Sequence, residues 1–294
     1  MKKQTVFIVY SILFFSAFLV TAAKAAETQA IDVKTMSFNV RVDVTGSWGG
    51  RKNKVAKIMN DQNPDIIGVQ EALNHQVTDI QKSLRGYANY AVGRNDGKTG
   101  GESCAIFYKK DRFTLNDKGT FWFSDTPDKV SQGWDAWPRI CTWVHLTDKN
   151  TGKAFYVYNV HLAAFFASGA RNKSAELIAE RVAARKTNDP FIVMGDFNMK
   201  TTSKGMRYLL NREGKTPYAR MTDAWDTIYP DVRGPRYDHI TLSKEIRPTY
   251  VELDKRKASD HYALIANLQI SSPIDISSPI AAGEAKELER PVQN

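Results

Sequence analysis

Five short apolar runs in this chain end or begin with residues that water holds strongly, and this repetition limits the fold more than any other feature. The runs are IDVKTMSFN, PDIIGVQE, AFYVYNVH, PFIVMGDFN and SDHYALIANLQI. Apolar stretches of this length, continuous or alternating and bounded by turn residues, read as strands with at least one buried face. Their polar ends carry Asn39, then Glu71, then Asn159 with His161, then Asp196 with Asn198, and finally Asp260 with His261. Glu102 in GES, Arg139 in PRICTW and Asp238 in RYDHI extend the set.

Taken singly, each residue has a bland reading. Asn39 can cap a turn, and Glu71 can sit before a helix, where carboxylates are favoured. Asp196 and Asn198 can make an Asx turn. His161 can be a satisfied polar side chain, and Arg139 can pair with a neighbouring acid. Together, the residues imply strands aligned so that their polar ends share one cleft.

The connections fit that reading. RKNKVAKIMNDQ (51–62), HQVTDIQKSL (75–84) and RNKSAELIAERVAARK (171–186) have helical spacing, the last with Leu177, Ile178, Val182 and Ala183 on one side. The turn DKNTGK joins two strands as a hairpin. Mixed strands with helices at separated places predict an α/β sandwich rather than a regular doubly wound sheet. No composition break divides the middle of the chain.

The ends read differently. Lys2 and Lys3, an apolar stretch from Val6 to Val20, and Ala23-Lys24-Ala25 have the form of a secretory signal peptide cleaved after Ala25. Residues 271–294 are rich in Ser, Pro and charge and read as a flexible tail. One domain, 26–270, remains, with no stable membrane insertion expected after cleavage and a periplasmic or secreted location. Of the whole chain's net charge of +9, residues 26–270 carry +8, because residues 1–25 hold three Lys and residues 271–294 are net acidic. A basic exported domain suits an anionic substrate. Only Cys104 and Cys141 are present, both in apolar runs, and the sequence leaves open whether they are bonded.

In order along the chain, SFNVR, GVQE, NVHL, GDFN, RYDHI and SDH resemble the endonuclease/exonuclease/phosphatase superfamily, the fold of DNase I. The likeness runs from about residue 31 to 270. VGRNDGKTGGE, GTFWFSDTP and GWDAWPRICTW are similar to a bacterial exported subgroup within it. The resemblance implies a four-layer α/β/β/α sandwich and a metal-dependent phosphoesterase. The oxygen-rich donor set suits a hard divalent cation, Mg²⁺ with Mn²⁺ as the other option. Glu71 is the implied ligand, with Asn39 and Asp260 as inner- or outer-sphere partners. His261 with Asp238 forms an implied imidazole–carboxylate pair, and His161 with Glu102 a second. Asp196, helped by Asn198, would orient or deprotonate water, while Arg139 and the two histidines would hold phosphate oxygens.

Three departures leave substrate contacts open. Tyr237 and His239 flank Asp238, NVHLAAFF follows an unusual course after the histidine, and the 226–236 loop is short. The sequence leans slightly to a nuclease acting on DNA or RNA, because of its charge. A phosphatase or phosphodiesterase for a small phosphorylated molecule or phospholipid head group is the second reading, and a non-catalytic binding protein the third. No protein partner is inferable.

Overall fold

The computed structural model describes residues 30–271 apart from 45, 165, 213, 215–219 and 233. The expected signal segment and nearly all of the expected tail lie outside the described residues. The elements are β1 (Ile31–Asn39), α1 (Trp48–Gln62), β2 (Ile66–Ala72), α2 (Asn74–Ser83), β3 (Tyr87–Tyr90), β4 (Ser103–Lys109), β5 (Phe113–Trp122), β6 (Ile140–Asp148) and β7 (Ala154–His161). There follow α3 (Ser168–Ala183), β8 (Phe191–Asp196), α4 (Lys204–Leu209), β9 (Thr222–Asp223), α5 (Ala224–Ile228), β10 (Asp238–Leu242), β11 (Ile246–Asp254) and β12 (Ala263–Ile270).

Two six-stranded sheets run in the orders β11-β12-β1-β2-β4-β3 and β5-β6-β7-β8-β10-β9. Each has one parallel pair at its centre, β1 with β2 and β7 with β8, and the remaining ladders are antiparallel. A parallel pair needs a crossover, and α1 and α3 supply them. Burial follows the layers. Phe113, Phe155, Ile192, Met194 and Leu264 lie in the core between the sheets. Val55, Ile58 and Ile80 seal the first sheet, while Leu177, Ile178 and Met206 seal the second. The result is the four-layer α/β/β/α sandwich that the sequence predicts.

This topology explains why the polar strand ends meet. Asn39 and Glu71 lie at the carboxyl ends of the first parallel pair, and His161 and Asp196 at those of the second. Crevices at the carboxyl ends of parallel strands are where such sheets bind ligands. β10 runs against β8 and pairs Asp238 with Asp196. β12 runs against β1, so its amino-terminal approach brings Asp260 and His261 to the same edge.

The sequence boundaries shift in places. α3 starts at Ser168 and ends at Ala183 rather than spanning 171–186; beyond it, the Arg185 side chain bonds the carbonyls of Val182 and Asp189. β3, α4, β9 and α5 are too short to produce a periodic signal. Both thiols are free and buried, and burial pushes Cys104 up to about 12. No helix among the described residues is long and apolar enough to cross a membrane.

Candidate active site

Two backbone features aim the central carboxylates. A β-bulge interrupts the β2–β4 register between Val69 and Ala72, and Glu71 within it has φ 64°. A bulge re-aims a side chain that regular pleating would turn elsewhere. On β8, Gly195 has φ 142°, and a Cβ there would lie 2.0 Å from the Val160 carbonyl oxygen. Only glycine allows β7 and β8 to close at this point, one residue before Asp196.

Asp196 is the hub. Its Oδ2 accepts the Asn39 Nδ2–H at 3.1 Å and faces His261 Nε2 at 3.7 Å and His161 Nε2 at 3.8 Å. Its Oδ1 accepts the Asn198 backbone N–H at 2.8 Å. Burial, reinforced by the Asp238 charge, pushes the Asp196 carboxyl up to about 6. Asn39 also donates to Glu71 Oε1 at 2.9 Å, while Glu71 Oε2 accepts the Val42 N–H at 2.9 Å. Asn39 therefore ties the two sheets together through their acids.

His261 Nδ1 lies 2.7 Å from Asp238 Oδ2. Burial opposes a charge on this imidazole, but the Asp238 hydrogen bond and the Asp238 and Asp196 charges outweigh it and raise His261 to about 9. His161 shifts the other way. Burial, then the Arg139 and Arg94 guanidiniums, hold it well below the usual histidine range. One imidazole is therefore cationic and the other neutral at pH 7, the kind of split that separates acid and base roles.

The expected His161–Glu102 hydrogen bond is absent. Glu102 Oε2 lies 3.8 Å from His161 Nδ1 and instead accepts from Arg94 Nη1 at 2.8 Å. Arg139 Nη1 sits 3.1 Å from His161 Nε2, and Arg139 Nε donates to Asp135 at 2.9 Å. Arg94 and Asp135 escaped the sequence reading, although they lie in VGRNDGKTGGE and GWDAWPRICTW, two stretches singled out in the sequence. Each pairs within its own irregular loop, Arg94 with Glu102 and Asp135 with Arg139, where no helical or strand period marks the contact.

Asp260 is more peripheral than expected, with its carboxylate about half exposed and 3.6 Å from Arg41 Nε. The Asn198 side chain donates to the Leu162 carbonyl at 3.1 Å, so its backbone N–H rather than its amide reaches Asp196. Asn159, although beside His161 in sequence, is fully buried between the sheets and donates to the Val69 and Ala105 carbonyls at 3.0 and 2.9 Å.

Oxygen donors at Glu71, and at Asp260 beyond it, fit a hard divalent cation. The Asn39 side-chain Oδ1 accepts the Arg41 N–H at 3.0 Å, so in this geometry Asn39 orients Glu71 rather than offering its own oxygen. Asp196, Asp238 and His261 also bring ligand atoms within 4.8 Å of one another. There, however, the Asp238–His261 hydrogen bond and the protonated imidazole favour a charge pair over a metal cage. Asp238 Oδ1 is buried with no hydrogen-bond partner among the described residues.

A two-sheet sandwich whose central strand ends gather these acids, imidazoles and guanidiniums has the architecture of a phosphoester hydrolase. The chain belongs to the Endonuclease/Exonuclease/phosphatase family, whose sequence profile matches residues 36–261. Members hydrolyse phosphoesters and typically use a divalent metal. The chain is similar to an endonuclease/exonuclease/phosphatase from Bacteroides vulgatus, at 31% identity and TM-score 0.73 over 82% of this chain and 99% of that one. It is also similar to a mannosyl-6-phosphatase from Bacteroides thetaiotaomicron, at 30% identity and TM-score 0.71 over 80% and 99%. An uncharacterized protein of Acanthamoeba polyphaga mimivirus is 30% identical over 170 residues, 55% of this chain and 63% of that protein. The CCR4-Not 3'-5'-exoribonuclease subunit Ccr4 of Emericella nidulans is 26% identical over 172 residues, 47% of this chain and 25% of that protein. The curated relatives are thus matched over less than two thirds of their length.

Proposed function

We propose that this protein is an exported, Mg²⁺-dependent phosphoester hydrolase acting on a small phosphorylated molecule. One observation carries the choice of substrate: the two guanidiniums beside His161 are each closed by a carboxylate, Arg94 by Glu102 at 2.8 Å and Arg139 by Asp135 at 2.9 Å. Tracking a polyanion takes a row of exposed cations, each displacing counterions from a phosphate. Two largely buried, pre-oriented forks instead suit a single phosphate group. The similarity to a mannosyl-6-phosphatase, over 80% of this chain and 99% of that one, agrees with this reading. Trp137, Tyr237 and Tyr262 are 52%, 42% and 38% exposed and stand within two residues of Arg139, Asp238 and His261. They offer aromatic faces to the part of the substrate that carries the phosphate. Nucleic acid is the second reading, favoured by the net charge of +9. Export rests on the leader-like residues 1–25.

In this mechanism Asp196 takes a proton from the attacking water, a role suited to a carboxylate raised to about 6. The Asn198 N–H holds its other oxygen. Arg139 and neutral His161 bind phosphate oxygens, and cationic His261, steadied by Asp238, stabilises charge on the reacting phosphate or gives a proton to the leaving oxygen. Glu71 would hold the cation, which supplies electrostatic stabilisation of the departing oxygen.

The test is hydrolysis by residues 26–294, with Mg²⁺ and with EDTA, of hexose phosphates, p-nitrophenyl phosphate, bis-p-nitrophenyl phosphate, plasmid DNA and RNA. His261→Ala serves as the blank. Metal-dependent release of phosphate from the small esters supports the proposal. Cutting of DNA or RNA alone, suppressed steeply by salt, would replace it with the nuclease reading.

A further inference from the structure

β10 carries two adjacent residues that face opposite ways. Asp238 turns into the cleft and meets His261, while His239 turns away from it. His239 is 1% exposed, and both of its ring nitrogens are engaged: Nδ1 donates to Asp223 Oδ2 at 2.7 Å and Nε2 donates to the Met199 carbonyl at 2.8 Å. A carbonyl oxygen can only accept, and an ionised carboxylate can only accept, so this geometry calls for a ring with both protons. The charge balance agrees. Burial works against both charges but is outweighed. The His239–Asp223 hydrogen bond and mutual charge, together with the Met199 carbonyl, raise the imidazole, and together with the Asp226 N–H and Arg236 they lower the carboxyl. Asp223 is further held by the Asp226 N–H at 3.0 Å and by Arg236 at 3.3 Å. The Phe197 ring stands edge-on to the imidazole, centroids 5.5 Å apart at 88°. The group is a fixed, fully enclosed ion pair.

Its outward contact is the one that bears on chemistry. Met199 is the next residue after Asn198, whose backbone has φ 50° and whose N–H holds Asp196 Oδ1 at 2.8 Å. Asparagine tolerates left-handed backbone better than other non-glycine residues, and the contacts around it fix the turn it makes. Asn198 is held on one side by its side-chain bond to the Leu162 carbonyl at 3.1 Å. On the other side, the anchor is the His239 bond to Met199.

We propose that His239, charged and braced by Asp223, is a positioning residue that locks the 197–199 turn and thereby aims the Asp196 carboxylate. The inference rests on the reading of Asp196 as the group that activates water. His239 touches neither substrate nor metal ligand and acts only through the Met199 carbonyl. The flanking of Asp238 by a histidine thus serves the opposite face of the strand.

Two readouts test this, and one does not depend on turnover. In His239→Leu, amide hydrogen exchange at Asn198 should quicken at least about tenfold, while Val193 in the middle of β8 keeps its protection. Activity on p-nitrophenyl phosphate should fall in kcat by about tenfold to a hundredfold with KM nearly unchanged, the cost of a misplaced reacting group. The double variant His239→Gln with Asp223→Asn replaces the ion pair by a neutral amide pair that can still donate to Met199, and should recover most of both losses. Unchanged Asn198 exchange in a folded His239→Leu protein would overturn the proposal, whatever its activity. Equal quickening at Asn198 and Val193 would also overturn it, by making His239 a general stabiliser. Wild-type protein inactive on every phosphoester would instead remove the role of Asp196, and the exchange result would still decide whether His239 holds the turn.

Discussion

His261 Nδ1 lies 2.7 Å from Asp238 Oδ2, and the opposite ring nitrogen looks at Asp196 Oδ2 from 3.7 Å. The imidazole is thus suspended between a carboxylate that bonds it and one that only attracts it. Its raised value of about 9 follows from that placement against the opposing effect of burial. The folded value lies above the ordinary one of 6.5, so the pair contributes stability that is complete below pH 6.5 and lost as pH rises through 9. Removing the acid should remove this dependence. We expect the Tm difference between wild type and Asp238→Asn to be largest below pH 6.5 and to shrink toward pH 9, with the His261 ring titrating lower in the variant by proton NMR. An unshifted ring titration would contradict the pairing.

Glu71 sits at φ 64° within the bulge of β2, an arrangement that an ordinary strand residue avoids. Left-handed backbone costs a non-glycine residue roughly 1–2 kcal/mol. Glu71→Gly relieves that cost but forfeits hydrogen bonds to the Val42 N–H and from Asn39, each worth about 1 kcal/mol. The two effects nearly cancel, so Tm should move by no more than a few degrees. Turnover and Mg²⁺ binding, followed by calorimetry, should both collapse, and Glu71→Gln should match that loss with the backbone unchanged. Preserved metal binding in both variants would remove Glu71 from the cation site.

How much of this was legible follows from what kind of signal each residue leaves. The polar ends of β1, β2, β7, β8 and the approach to β12 were readable because apolar runs locate strand ends, whereas their gathering into one cleft follows from two parallel pairs that sequence alone could not establish. The bulge at Glu71 was invisible, since one extra residue does not disturb a run as apolar as IIGVQEA. Arg94 and Asp135 were missed because each pairs with a residue of its own irregular loop, Glu102 and Arg139, where no period marks the contact, and Asp223 because its partner His239 lies on another strand. Asn159 is the reverse error: the sequence reading set it in the cleft with His161, two residues on, whereas its side chain is buried between the sheets.

Trp137 is 52% exposed and two residues before Arg139, whose guanidinium is buried against Asp135. If the indole borders the bound substrate, Trp137→Ala removes a contact surface without touching the phosphate site. Aromatic contacts are worth about 0.5–1.5 kcal/mol beyond their area, so KM for a hexose phosphate should rise about twofold to twelvefold with kcat kept. KM for p-nitrophenyl phosphate, whose ring offers a different face, should change by another factor. Equal KM values for wild type and variant on every ester would place Trp137 outside the substrate contact.

Asn159 is the residue on which chemistry and architecture give opposite expectations. Its Nδ2 donates to the Val69 and Ala105 carbonyls, and its Oδ1 accepts Gln70 Nε2 at 2.7 Å, so one amide stitches β7 to β2 and β4 across the inter-sheet space. Gly68 faces it: a Cβ there would lie 3.0 Å from the Asn159 amide and 2.9 Å from Met194 Cε, so the sheets are already at closest approach. Asn159→Ala would leave two buried carbonyls short of a donor, a loss of about 3 kcal/mol. For a domain of this size that corresponds to a fall in Tm of about 6–12 °C. Gln70 keeps its bonds to Ser37 and the Gly68 carbonyl, both at 3.2 Å, so the cleft end of β2 should hold its place. At 20 °C, with the variant fully folded, kcat on the best small ester should therefore stay within about twofold of wild type, in keeping with additivity between sites that share no partner. A collapse of kcat at unchanged Tm would reverse the assignment and put Asn159 into the reaction beside His161.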